Sequence, residues 1–249
     1  MGEIKSMIAQ MSTQITAHSG ADGTPDNSME FVQYALTTSA DALEIDVRRA
    51  DDQTLVISHD KTNTETVPLV KVFEAVKQNA GMRINCDLKE YGLEETVFLL
   101  SQECQLPEGT ILFSGSVKPC EPSKEKIWKN VEIYWNVEEC IPDIYICEKG
   151  KEQEKITQTV AWELLKKYKK YGISVMNINE KYLNPVLMEV LKNAGIGISA
   201  WTVNDPERIR QLLDLGVKNI TTRCPACALK IREEKWQTEN SGFEKGENE

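Results

Sequence analysis

Short runs rich in β-branched and other apolar residues alternate with longer amphipathic stretches along almost the whole chain. The short runs close on "ITAH", "ALEIDV", "MRINCDL", "TILFSG", "VEIYWNV", "ISVMNIN", "GISAWTV" and "NITT", which predicts eight strands. Helix-like stretches lie between most of them: "NSMEFVQYALTTS", "VPLVKVFEAVKQNA", "LEETVFLLSQE", "TVAWELLKKYKKYG", "NPVLMEVLKNAG" and "DPERIRQLLDLG". Several open on Asn, Asp or Pro and stop at Gly, the residues that start and end helices. In one, Ala161, Leu164, Leu165 and Tyr168 share a face with lysines opposite. Regular strand–helix alternation implies a parallel sheet with crossover helices, and eight such strands in 249 residues predict a single (β/α)8 barrel of the α/β class. An open doubly wound sheet is the runner-up, although no Gly-rich phosphate loop follows the first strand. "VKPCEPSKEKIWKN" and "EECIPDIYICEKGKEQEK" read as loops rather than helices. The barrel is expected over residues 1–235, with the polar stretch 236–249 a disordered tail.

A hydrophobic share of 41% supports a substantial core. The net charge of −10 argues against nucleic acid or an anionic membrane as partner. An anionic small molecule stays possible, because a bound divalent cation reverses the field locally. No run approaches the roughly 18 apolar residues of a membrane span, so no stable membrane insertion is expected. "MGEIKSMIAQMSTQ" lacks an apolar signal core, which makes the cytoplasm the expected location. "MGEIKS" fits the loose myristoylation pattern, one short enough to arise often by chance. Seven scattered cysteines make a poor disulfide framework. "CPAC" at 224–227 has the C-x-x-C spacing but no second ligand pair, so unpaired structural thiols are the reading.

Candidate chemistry gathers at strand ends, where barrels carry their sites. The two histidines of the chain both stand there: His18 closes the first strand and His59 ends "TLVISHD". Glu44 and Asp46 are two apart on the second strand, so both project to one side about 7 Å apart. Leu43, Ile45 and Val47 take the other side, and Asp87 and Lys89 repeat the arrangement on the next strand. Three converging carboxylates fit a hard cation such as Mg²⁺ or Ca²⁺. The alternative is that they form structural ion pairs with Arg48, Arg49 and Lys89. "RRADDQTLVISHD" reads as a hairpin turning at Asp51–Asp52, which returns His59 toward the mouth where His18 stands. Two imidazoles beside a carboxylate cluster suit proton transfer near neutral pH. Trp201 is either a wall of the pocket or a core aromatic under a loop.

These residues, in this order, resemble the glycerophosphodiester phosphodiesterase family, a group of TIM barrels within the phospholipase-C-like phosphodiesterases. The family's His-Arg-Gly, Pro-Glu-Asn-Thr, Glu-x-Asp-Val, His-Asp and Glu-x-Lys read here as His18-Ser19-Gly20, Pro25-Asp26-Asn27-Ser28, Glu44-Ile45-Asp46-Val47, His59-Asp60 and Asp87-Leu88-Lys89. Its Trp-Thr-Val-Asn is intact at Trp201 to Asn204, and a later Gly-Val element appears as "LGVKNITTRCP", so the likeness runs from about residue 15 to 228. The resemblance implies one divalent cation, Mg²⁺ or Ca²⁺, on Glu44, Asp46 and Asp87. It implies His18 and His59 as general acid and base, and Lys89, Ser19 and Trp201 against the substrate. That substrate is a small-molecule phosphodiester, and the products are sn-glycerol 3-phosphate and an alcohol. Three departures stand out. Ser19 replaces the family arginine, and Asp26 and Asp87 are each one methylene shorter than the family glutamate. Only 27 residues separate His59 from Asp87, where typical bacterial members carry an inserted subdomain. The missing arginine supports a second reading, a catalytically impaired descendant that binds phosphodiesters or a partner protein. The oligomeric state and the head group are left open.

Overall fold

The computed structural model describes residues 13–61, 66–79, 81–119 and 125–243. Ten strands form one sheet: β1 Gln14–Ala17, β2 Ala42–Arg49, β3 Leu55–Ile57, β4 Val67–Pro68, β5 Arg83–Leu88, β6 Ile111–Gly115, β7 Glu132–Asn136, β8 Val175–Asn179, β9 Gly197–Trp201 and β10 Asn219–Thr222. β1 pairs in parallel with both β10 and β2, which closes the sheet on itself. The remaining pairs around the ring are also parallel. The eight ring strands are the eight predicted runs, and the closure excludes the open-sheet alternative. β3 and β4 lie outside the ring, as an antiparallel extension of β2.

Alternation of faces divides the apolar residues into two layers. Leu43, Ile45 and Val47 are fully excluded from solvent and belong to the large cluster that also holds Phe31, Val32 and Ala35 of the helix Met29–Thr37. Leu112, Tyr134 and Val175 face the other way and form a small separate cluster inside the ring. Above them the interior is polar: Thr16 Oγ1 donates to Asn219 Oδ1 at 2.7 Å, and Asn219 Nδ2 donates to Ser199 Oγ at 3.0 Å. Buried polar groups are tolerated when paired in this way.

Cap chemistry places the helices where the sequence signals them. Asn184 and Asp205 side chains accept from the backbone N–H groups of Leu187 and Glu207, each followed by Pro at the first turn. Gly216 ends its helix in the left-handed region at φ 69°. The segments expected to be loops differ in part. Glu125–Asn130 and Val137–Cys140 form short helices, and Glu152–Glu154 a single 3₁₀ turn. Ile127, Val137 and Cys140 are buried there, so tertiary packing supplies what local periodicity lacks. The last helix runs Pro225–Phe243 and so extends past residue 235; residues 244–249, part of the expected tail, lie outside the described residues, as does "MGEIKS". Cys224 and Cys227 are free, as are Cys86, Cys104, Cys140 and Cys147. No helix among the described residues is long and apolar enough to cross a membrane.

Candidate active site

The carboxyl ends of the ring strands surround a cavity of about 510 Å³ lined by His18, Glu44, Asp46, His59, Asp87, Lys89 and Trp201, among others. Strand register builds its floor. β2 and β5 align with Glu44 opposite Asn85 and Asp46 opposite Asp87, so two inward-facing carboxylates lie side by side on neighbouring strands. One ligand oxygen from each of Glu44, Asp46 and Asp87 falls within 4.8 Å of the others. An all-oxygen, all-anionic donor set this tight could hold a divalent cation.

Burial and like charge act most on Glu44, while Lys89 offsets its two neighbours. Burial pushes the Glu44 carboxyl up to about 7, with Asp46 and Asp87 adding to the rise against the opposing pull of His18. Lys89 Nζ lies 2.7 Å from Asp46 Oδ1 and 2.6 Å from Asp87 Oδ2. Burial disfavours its charge, but Asp87 and Asp46 together outweigh that and hold the ammonium above the ordinary lysine range. Of the three cations weighed as structural partners, only Lys89 meets the trio. Arg48 instead bonds Glu90 and the His59 carbonyl, and Arg49 bonds Gln53 and Thr96.

Each acid is held by a neutral neighbour. Asn27 clamps Asp46, donating from Nδ2 to Oδ2 at 2.7 Å while its Oδ1 accepts from the Asp46 N–H at 3.0 Å. Ser114 Oγ donates to Asp87 Oδ1 at 2.5 Å. The Ser19 N–H donates to Glu44 Oε2 at 3.1 Å. Hydrogen bonds to carboxylates fix geometry as well as charge.

The two histidines reach the cavity by different routes. His18 follows β1 directly, and its Nδ1 is 2.7 Å from the Ser19 carbonyl oxygen. A carbonyl only accepts, so Nδ1 carries the proton and Nε2 is the free acceptor of the neutral ring. His59 arrives on the hairpin, with Val47 opposite Ile57 and Arg49 opposite Leu55. The Arg48 guanidinium holds its carbonyl at 2.8 Å, and its Nδ1 lies 3.0 Å from Asp60 Oδ1.

Trp201 lines the cavity and packs edge-on to Tyr145 with ring centroids 6.0 Å apart, so it serves as a wall. Ser19 does not stand where direct substrate contact requires. It is fully buried and outside the cavity lining, and its Oγ accepts from the Asn27 N–H at 2.5 Å. It therefore braces the clamp on Asp46. Residues not singled out from sequence also line the site: Asn85, Ser114, Asn136, Glu138, Asn177 and Arg223. The asparagines carried a signal, since Asn is disfavoured in strands yet Asn85 and Asn177 stand inside β5 and β8 and Asn136 ends β7.

A model of the glycerophosphoryl diester phosphodiesterase family matches residues 18–105, a span that opens on His18 and contains both histidines, the three carboxylates and Lys89. A glycerophosphodiester phosphodiesterase of Bacillus altitudinis is 26% identical over 266 residues, covering 89% of this chain and 99% of the relative. Both comparisons make the chain similar to the glycerophosphodiester phosphodiesterase family. Members are phosphoric diester hydrolases. Solved structures share the fold at lower identity. The glycerophosphoryl diester phosphodiesterase-like structure from Agrobacterium tumefaciens superposes with a TM-score of 0.71 at 17% identity, over 91% of this chain and 99% of that one. A phosphodiesterase of Oleispira antarctica, in complex with the product sn-glycerol-3-phosphate, gives 0.67 at 20% identity, over 90% and 98%.

Proposed function

We propose that this chain is a member of that family and hydrolyses glycerophosphodiesters to sn-glycerol 3-phosphate and an alcohol, using Mg²⁺ or Ca²⁺ held by Glu44, Asp46 and Asp87. The observation that carries the reading is the lining of one cavity by both histidines, the acidic trio and Lys89. The product bound to the Oleispira antarctica phosphodiesterase supports the substrate class.

The chain's own groups divide the work. When bound, the cation supplies Lewis-acid stabilisation of charge on the phosphoryl oxygens. Lys89 adds a second positive charge beside the carboxylates. His18, with Nδ1 committed to the Ser19 carbonyl, presents Nε2 as the base that takes the proton from the attacking oxygen. His59, with Nδ1 3.0 Å from Asp60 Oδ1, is placed to return a proton to the leaving alkoxide. Trp201 and Thr202 line the cavity on the β9 side.

The test is hydrolysis of glycerophosphocholine with Mg²⁺ or Ca²⁺ and again with chelator. Metal-dependent release of sn-glycerol 3-phosphate is the expected result. No turnover of any diester, with or without metal, favours the impaired descendant suggested by the lost family arginine.

Between β3 and β5 the described residues hold only β4 and the helix Leu69–Lys77. Among the described residues no folded subdomain lies between these two strands. Relaxed selectivity is expected: turnover of a lysophospholipid within about tenfold of glycerophosphocholine, compared at equal concentration. A strict preference for the small diester would show that other elements close the pocket.

A further inference from the structure

The seam that closes the barrel carries a cation the acidic floor does not neutralise. Arg223 follows β10 and its side chain lines the cavity. Its backbone is fixed on both sides: its N–H donates to Asn204 Oδ1 at 2.8 Å, and its carbonyl accepts from the Asp22 N–H at 2.8 Å. The guanidinium reaches across to the loop after β1, where Nη2 meets Asp26 Oδ1 at 2.9 Å.

The turn beneath is shaped to admit this pair. Gly20 has φ 77°, and a Cβ there would collide with the Asp26 carboxylate and stand 2.7 Å from Arg223 Nη1. A side chain at position 20 is thus excluded twice, by backbone conformation and by the ion pair seated over it. The pair sits beside His18, two residues from Gly20.

Charge then decides its use. Lys89 is engaged by Asp46 and Asp87, so its positive charge is partly offset at the floor. Arg223 keeps one acidic partner, stays 42% exposed, and has N–H groups beyond the one given to Asp26. A planar guanidinium with free donors beside an anion-processing cavity suits bidentate capture of phosphate oxygens. Position 19, the seat of arginine in the family motif, offers only a buried serine whose hydroxyl is already engaged.

We propose that Arg223, oriented by Asp26, is the substrate-contact residue that grips the non-bridging phosphate oxygens from the β1–β10 seam. This rests on the phosphodiesterase reading for its kinetic arm alone. The experiment compares wild type, Arg223→Ala and Arg223→Lys. It measures steady-state kinetics on glycerophosphocholine, calorimetric binding of inorganic phosphate and of sn-glycerol 3-phosphate, and thermal midpoints. Expected for Arg223→Ala is a KM rise of about tenfold or more, matched by equal weakening of both anions, with an unchanged midpoint. Free guanidinium ion should restore part of that loss, which a merely structural role would not allow. Arg223→Lys should fall between the two and reports the charge if the alanine variant fails to fold. KM and phosphate affinity within twofold of wild type in both variants would overturn the proposal. Absence of turnover in the wild type would overturn the hydrolase reading instead, while Arg223-dependent phosphate binding would still support this one.

Discussion

Replacing His18 by alanine is expected to lower turnover of glycerophosphocholine by about 10²- to 10⁴-fold, the range typical of losing a positioned acid or base. KM should change little, because Lys89, the acidic trio and Trp201 are untouched. His18 is bonded through Nδ1 to a backbone carbonyl one residue away and packs 3.8 Å from Glu44 Oε2. Its removal also takes away the pull that opposes the rise at Glu44, so thermal midpoints of variant and wild type are compared at one pH to separate a folding defect from the loss of the base. The check is steady-state kinetics with added imidazole, which should recover activity if the missing group is a proton acceptor. A loss under threefold would mean that another group takes the proton, and the assignment of Nε2 as base would fall.

Glu44→Gln is expected to weaken cation binding by at least the roughly 10- to 100-fold that even a supporting residue costs. Its sign on stability is opposite, and that makes the pair of measurements informative. The buried Glu44 carboxyl is raised to about 7, above the ordinary carboxylate value it regains on unfolding. The folded protein thus holds the extra proton, so this contribution to stability is full below the unfolded pKa and is lost as pH rises through about 7. Without metal, the wild type should melt lower at pH 8 than at pH 5.5 by way of this group. Glu44→Gln should melt higher than wild type at pH 8, since no buried charge forms. Added Ca²⁺ or Mg²⁺ should raise the wild-type midpoint, more so at pH 8, and leave the variant nearly unmoved. Calorimetric titration and thermal melts at the two pH values read this directly. Equal cation affinity in the variant would remove Glu44 from the site.

The local elements were readable because their signals are local. Alternation put Leu43, Ile45 and Val47 on one face and Glu44 and Asp46 on the other, and the structure buries the first three against the helices. Capping residues marked Pro185–Asn193 and Pro206–Leu215. The hairpin that carries His59 followed from a polar turn between two β-prone runs. Where packing rather than periodicity stabilises an element, as at Ile127 and Cys140, the short helices were not readable. Ser19 shows a related failure. Its place in a motif suggested substrate contact, yet burial and the bond from Asn27 give it a bracing task.

The sequence by itself determined which side chains share a strand face, because a period of two is fixed by the backbone, and hence the barrel class and the acidic pair on β2. Register across strands was decided only by the tertiary structure. Aligning Asp46 with Asp87 depends on β2 and β5 pairing without slip, and seating Arg223 over Gly20 depends on β1 closing against β10. Those juxtapositions join residues far apart in the chain through shear and closure of the whole sheet, quantities that no short window of residues encodes.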